Sequence, residues 1–160
     1  MFISVNISQQ QLHLHGDDGR MISYPVSTGL NGVGQQEGSG QTPLGKHVIR
    51  AKIGRGAPEC AVFVGRRWTG EIYSPELAIL QPERKDWILT RILWLSGKEV
   101  GVNRLGSVDS MRRYIYIHGT PDSSPMGRPE SKGCIRMRNK DVIDLFEQVA
   151  VGTLIDIVSG

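Results

Sequence analysis

The chain has 160 residues, 39% of them hydrophobic, and a net charge of +3 from 19 basic and 16 acidic side chains. That is the size of one folding unit, 1–160, able to bury a core without disulfide or metal staples, and no apolar run approaches the roughly 18 residues that a membrane helix requires. The basic residues are scattered apart from Arg66-Arg67 and Arg112-Arg113, and no reading module accompanies them, so no nucleic acid is indicated. Cys60 and Cys134 are the only cysteines, which excludes a disulfide framework or CxxC metal site. Cys60, beside Ala61-Val62-Phe63-Val64, reads as buried core filler. The N-terminus MFISVNISQQ shows no basic stretch, apolar core and small-residue cleavage site in series, so no secretory signal is read and a cytoplasmic location stays open.

Ile3, Val5 and Ile7 alternate with polar residues, as do Leu12 and Leu14 with His13 and His15; after the turn Asp17-Asp18-Gly19 come Ile22, Tyr24 and Val26. Period-two alternation of this kind predicts a β-meander. Ser27 to Pro43, with five glycines, predicts a long loop and lacks the lysine and helix of a phosphate-binding loop. Further strands are expected at His47 to Ile53, Ala61 to Gly65, Arg113 to His118 and Leu154 to Val158. Val142, Leu145, Phe146 and Val149 fall at helical spacing, with Asn139 as cap and Gly152 as terminator. A second helix is expected over Asp86 to Leu95, on the stripe Ile88, Ile92 and Leu95.

The strand ending at His118 should turn Ile115 and Ile117 to the core and Tyr114, Tyr116 and His118 to the other face, placing the histidine at the mouth of the turn-rich loop Gly119 to Pro125. The chain returns through Ser131-Lys132-Gly133-Cys134-Ile135-Arg136, where extended geometry puts Cys134 and Arg136 on one side. Lys132, Arg136 and an imidazole nearby would favour the thiolate. A Cys/His pair with the amides of Gly133 and Cys134 could carry out acyl transfer. The residues alone favour the plainer reading, a buried thiol and a hydrogen-bonded histidine, and their spacing does not settle the matter.

Ile117-His118-Gly119-Thr120, a loop, then Ser131-Lys132-Gly133-Cys134-Ile135-Arg136-Met137 and Asn139 resemble the signature of the YkuD-type L,D-transpeptidase family. Weaker similarity runs through Ile3 to Leu12, Pro25 to Gly29, Thr42 to Gly45, Ile88 to Arg91 and Gly152-Thr153. The resemblance implies a mainly β fold, a sandwich or partly closed barrel with one or two helices. It implies a cysteine acyltransferase acting on peptidoglycan peptide stems: Cys134 attacks the carbonyl before a terminal D-alanine, expels it, and passes the acyl group to an amine of another stem. His118 would be the base, oriented by the Gly119 carbonyl; Gly133 and Cys134 would hold the oxyanion, Arg136 a substrate carboxylate, and Tyr116 would line the groove or only pack. No cofactor is implied, and the bacterial envelope is. The family usually places histidine where Lys132 stands, so acceptor preference or groove electrostatics are expected to differ.

Other candidates carry less. His13 and His15 share a strand face but are two ligands where zinc takes three or four, so no metal is assigned and a zinc-binding regulator is the weakest reading. Asp17-Asp18 reads as a turn, His47 receives no role, and Ser131 lacks a hydrolase nucleophile's context but could orient the Cys134 loop. The same thiol could serve an L,D-carboxypeptidase or amidase, or the Lys132 departure could mark a non-catalytic wall-binding module. Oligomeric state is not encoded legibly.

Overall fold

A computed structural model describes residues 1–160. The meander forms as expected: β1 (Phe2–Asn6), β2 (Gln11–His15) and β3 (Met21–Pro25) pair antiparallel in turn, and the inward residues Ile3, Val5, Leu12, Leu14 and Tyr24 are buried. β4 (Gly45–Ile53), β5 (Ala61–Val64), β6 (Arg67–Ile72), β7 (Ile88–Gly97), β8 (Tyr116–Gly119), β9 (Ile135–Met137) and β10 (Leu154–Val158) complete the sheet. One hydrogen-bonded sheet runs β3-β2-β1-β10-β4-β7-β5-β6, with β8 branching from β7 and β9 from β8. The chain is mainly β, a curled half-barrel with two helices.

The sheet's curl encloses the main core, where residues of β1, β2, β4, β7, β8 and β10 meet α2 (Asn139–Gln148). Val142, Leu145, Phe146 and Val149 are buried there, as their spacing requires. Asn139 is not this helix's cap: Arg138 holds that position, and the Asn139 side chain turns inward to other partners. The helix ends at Gln148, and Gly152, at φ 95°, turns the chain into β10.

The helix expected over Asp86 to Leu95 is a strand instead. β7 lies between β4, β5 and β8, and nearly every residue from Leu89 to Leu95 is buried. A strand covered on both faces needs a continuous apolar run, which contains a helical stripe by accident; the β-branched and aromatic content of Ile88, Thr90, Ile92 and Trp94 decides for the strand. The helix that does occur nearby, α1 (Pro75–Leu80), was not expected, although Ser74 caps it by accepting from the Leu77 amide and Pro75 opens it. Cys60 is also corrected: it sits half-buried in a left-handed turn (φ 67°) outside the core clusters, its amide donating to Thr90 Oγ1 at 2.9 Å. The strand expected from Arg113 begins only at Tyr116, because Tyr114 (φ 55°) breaks the extended backbone.

Candidate active site

β8 and β9 pair in parallel, setting Ile117 opposite Ile135, His118 opposite Arg136 and Gly119 opposite Met137. Cys134, one residue before β9, therefore comes beside Tyr116, whose amide donates to Sγ at 3.3 Å. The thiol itself donates to the Tyr114 carbonyl at 3.3 Å. Ile115 and Ile117 face the main core as expected.

The cysteine segment is cradled by the N-terminal motifs. Ser27 exchanges two backbone hydrogen bonds with Arg136, at 3.0 and 2.8 Å, and the Leu30 amide donates to the Ser131 carbonyl. Thr42 Oγ1 accepts from the Gly29 amide at 2.8 Å and donates to the Gly133 carbonyl at 2.9 Å. Gly133 adopts φ 122°, and a Cβ there would lie 3.0 Å from the Gln41 carbonyl oxygen, so the tight approach demands glycine. Ser131 Oγ donates to the Cys134 carbonyl at 2.6 Å and accepts from the Gly133 amide at 3.1 Å, bracing the turn. Of the two expected oxyanion donors, Gly133 is thus engaged in the resting protein, and the Cys134 amide has no acceptor in the protein.

His118, next to last in β8 and so at the mouth of the loop that follows, is fully buried. Its Nδ1 lies 2.6 Å from the Gly119 carbonyl oxygen, which can only accept. Nδ1 therefore carries the ring proton, and Nε2 keeps its lone pair. Nε2 is buried with no partner. Burial pushes the imidazole below its ordinary value, against a smaller upward pull from Asp86, so the ring is neutral near pH 7.

Gly119 is required by packing: a Cβ there would stand 2.5 Å from Asn139 Oδ1 and 2.6 Å from the Leu89 carbonyl oxygen. Asn139 ties the surroundings together, accepting from Thr90 Oγ1 at 2.5 Å and donating to the Thr120 carbonyl at 2.9 Å and Asp122 at 3.0 Å. One buried amide thus clamps β7 to the chain leaving His118, which explains why it serves the interior instead of the helix end.

The expectation of a resting thiolate does not hold. Burial pushes the Cys134 thiol up to about 12, and Asp86 adds to that, while the Tyr116 amide, Arg136 and Arg113 pull the other way without prevailing. Arg136, expected to be free for a carboxylate, is paired with Asp86: Nη2 to Oδ1 is 2.8 Å, and the Arg136 side chain is only 11% exposed. Asp86 was not identified from the sequence, where nothing links an acid to an arginine fifty positions later.

Cys134 opens on a cavity of about 510 Å³ whose apolar wall is Phe63, Ile88 and Ile92. Tyr114 and Tyr116 flank the thiol, and Arg66, Arg113 and Lys132 supply cations. Tyr116 both lines the cavity and packs, its hydroxyl accepting from Arg66 at 3.1 Å and its ring meeting Trp94 edge-on. Arg113 donates to the carbonyls of Gly34, Gln35 and Gln41, pinning the long loop beside the site. Another hollow, about 380 Å³ and lined by residues such as Phe2, His47 and Leu154, shares no residue with this one and holds no thiol. His13 and His15 lie elsewhere, hydrogen-bonded to Ser23 and Ser4.

The family model of the L,D-transpeptidase catalytic domain, YkuD, matches residues 1–157. The putative L,D-transpeptidase YkuD of Bacillus subtilis (strain 168) is 48% identical over 46 residues, which is 29% of this chain and 28% of that protein. An L,D-transpeptidase from Mycobacterium smegmatis superposes with a TM-score of 0.56 at 17% identity, over 99% of this chain and 58% of that one. The L,D-transpeptidase LdtMt1, solved in complex with imipenem, gives a TM-score of 0.55 at 18% identity, over 98% and 58%. The matches thus span 28% of the B. subtilis relative and somewhat over half of the solved chains, whose low identity speaks to the fold. Since the family model runs over nearly all of the sequence and the solved relatives share its curled sheet, this chain belongs to the L,D-transpeptidase catalytic-domain family.

Proposed function

We propose that the protein is a cysteine-dependent L,D-transpeptidase that cross-links peptidoglycan stems in the bacterial envelope, acting as one domain. The observation that carries this reading is that the paired strands β8 and β9 hold, within two residues of register, a cavity-facing thiol and a buried histidine whose tautomer is set and whose Nε2 lone pair has no partner.

The resting thiol must first leave the Tyr114 carbonyl, by rotation about its side-chain bond, and hand its proton to His118 Nε2. The thiolate then attacks the carbonyl preceding a terminal D-alanine. The oxyanion is held by the Cys134 amide, joined by Gly133 as its N–H leaves Ser131 Oγ. Collapse forms the thioester while the Nε2 proton goes to the departing D-alanine amine. An amine of a second stem attacks the thioester, returns a proton through His118, and leaves the thiol as it began.

The cations that face the cavity do not appear in any ion pair: Arg66, Arg113 and Lys132 have no acidic partner, whereas the cavity's acid, Asp86, is committed to Arg136. The substrate carboxylate is therefore met by these cations rather than by Arg136; of them Arg113 already donates to loop carbonyls and Arg66 to Tyr116, while the Lys132 ammonium has no hydrogen-bond partner. Lysine in place of the family's histidine leaves the base untouched, because that role rests on His118, and adds a permanent charge to the groove.

The solved complex of a relative with imipenem supplies a probe. Imipenem is expected to add once to the wild type, at Cys134, with no adduct on Cys134→Ala. A defined tetrapeptide stem should then yield dimers. Trimmed monomers alone would make the protein an L,D-carboxypeptidase or amidase using the same thiol, and muropeptide binding without any adduct would make it a wall-binding module.

A further inference from the structure

Asp86 is the charged residue of this site that the reaction above does not use. It lies just ahead of β7, half-buried, with Oδ1 2.8 Å from Nη2 of Arg136. Arg136 stands directly opposite His118 across the β8–β9 pair, and its Nε is buried without an acceptor. The arrangement answers a physical difficulty. His118 has no exposed surface, so the proton it takes from Cys134 creates a buried cation, which is unfavourable without a counter-charge. The Gly119 carbonyl offers only a dipole, and the neighbour in register is another cation, Arg136.

Resting on the acyl-transfer reading, we propose that Asp86 is a positioning residue whose carboxylate, anchored by Arg136, neutralises that arginine and provides the counter-charge for the imidazolium of His118. In the step it assists, the Sγ–H bond of Cys134 breaks and an Nε2–H bond forms, leaving a thiolate and an imidazolium. Asp86 stays ionised and takes no proton. When the carbon–nitrogen bond of the substrate breaks, the Nε2 proton passes to the departing amine, and the counter-charge is no longer needed.

The charges acting on His118 are Asp86, from the segment before β7, and Arg136, from β9. Burial pushes the Asp86 carboxyl up, but the imidazolium of His118 once it forms, with Arg136 and Lys132, outweighs it and holds the group below its ordinary value, so it is an anion whenever the base works. Asp86 also disfavours the thiolate. There, however, it is opposed by the Tyr116 amide, Arg136 and Arg113, whereas at His118 it is the foremost group favouring the cation.

The experiment compares the full chain with Asp86→Asn and Asp86→Glu by three readouts: the NMR titration of the His118 ring, the rate of imipenem addition to Cys134 against pH, and Tm. In Asp86→Asn the His118 titration should move to lower pH and the rate near neutrality should fall roughly tenfold or more, the size of one nearby charge. Asp86→Glu should recover most of both. If Asp86→Asn does not fold, Asp86→Ser removes the same charge with a smaller side chain and carries the same expectation. An adduct on the wild type, together with an unchanged titration and pH profile in the charge-free variant, would overturn the proposal and leave Asp86 as a strut for Arg136. No adduct on the wild type overturns the acyl-transfer reading first, and this one with it.

Discussion

His47 and His118 stand on opposite sides of β7, one in β4 and one in β8, and their hydrogen bonding differs at one ring nitrogen. Both are fully buried, both place Nδ1 against a glycine carbonyl, at 3.0 Å from Gly45 and 2.6 Å from Gly119, and burial pushes both below the ordinary imidazole value. At His47 the second nitrogen meets Ser110 Oγ at 2.8 Å; at His118 it meets nothing. Burial and a set tautomer are therefore not what distinguishes the proposed base from a structural histidine. An unpaired buried acceptor costs about 1–3 kcal/mol, and the proposed reaction gives this one a use, as the acceptor of a proton.

The comparison is broken most directly by deletion. His118→Ala should slow imipenem addition to Cys134 by roughly 10²–10⁴-fold, the usual contribution of a positioned base, whereas His47→Ala should leave that rate within a few-fold and instead destabilise the fold by about 2–4 kcal/mol. Equal losses of rate in the two variants would show that the free nitrogen has no special role. Ser110→Ala sharpens the contrast by giving His47 the bare Nε2 that His118 has. Denaturant unfolding should register a loss of about 1–3 kcal/mol, with the rate of Cys134 acylation unchanged, since no thiol is adjacent.

The smallest effect is on acid stability. Both imidazoles titrate lower in the folded protein than in the unfolded chain, so below the ordinary histidine value of about 6.5 the unfolded chain takes up protons that the fold refuses. Stability is complete above that pH and is lost as pH falls toward the folded values. Tm should therefore decline below about pH 6.5, and His47→Gln should make that decline shallower. A Tm flat from pH 7 to 5 would contradict the burial assigned to the two rings.

Much of this was legible before folding was considered. The alternation at Ile3, Val5, Leu12 and Leu14, and the spacing of Val142, Leu145, Phe146 and Val149, report local periodicity, and each set is buried as its period demands. The motif residues His118, Gly119, Gly133 and Cys134 were visible too, with the Gly119 carbonyl against the imidazole. The misreadings share a cause. Ile88 to Leu95 satisfies helix and buried strand alike, and pairing with β4, β5 and β8 decides between them. Asn139 suits a helix cap until Thr90 and Thr120 draw it inward. The electropositive setting inferred for Cys134 counted lysine and arginine as neighbours in sequence, but Asp86 neutralises Arg136 and desolvation dominates the thiol.

By itself, then, the sequence determined which segments alternate and, through its resemblance to a family signature, which residues to propose as the reactive ones, because these follow from covalent neighbours and from the order of residue types. Only the tertiary structure decided the protonation states and the alliances: that Asp86 holds Arg136, that Thr42 and Ser27 cradle the cysteine strand, and that one buried histidine is satisfied while the other is left open. Those depend on distances between residues far apart in the chain and on how much water the fold removes around them, quantities that no local pattern of residue types contains.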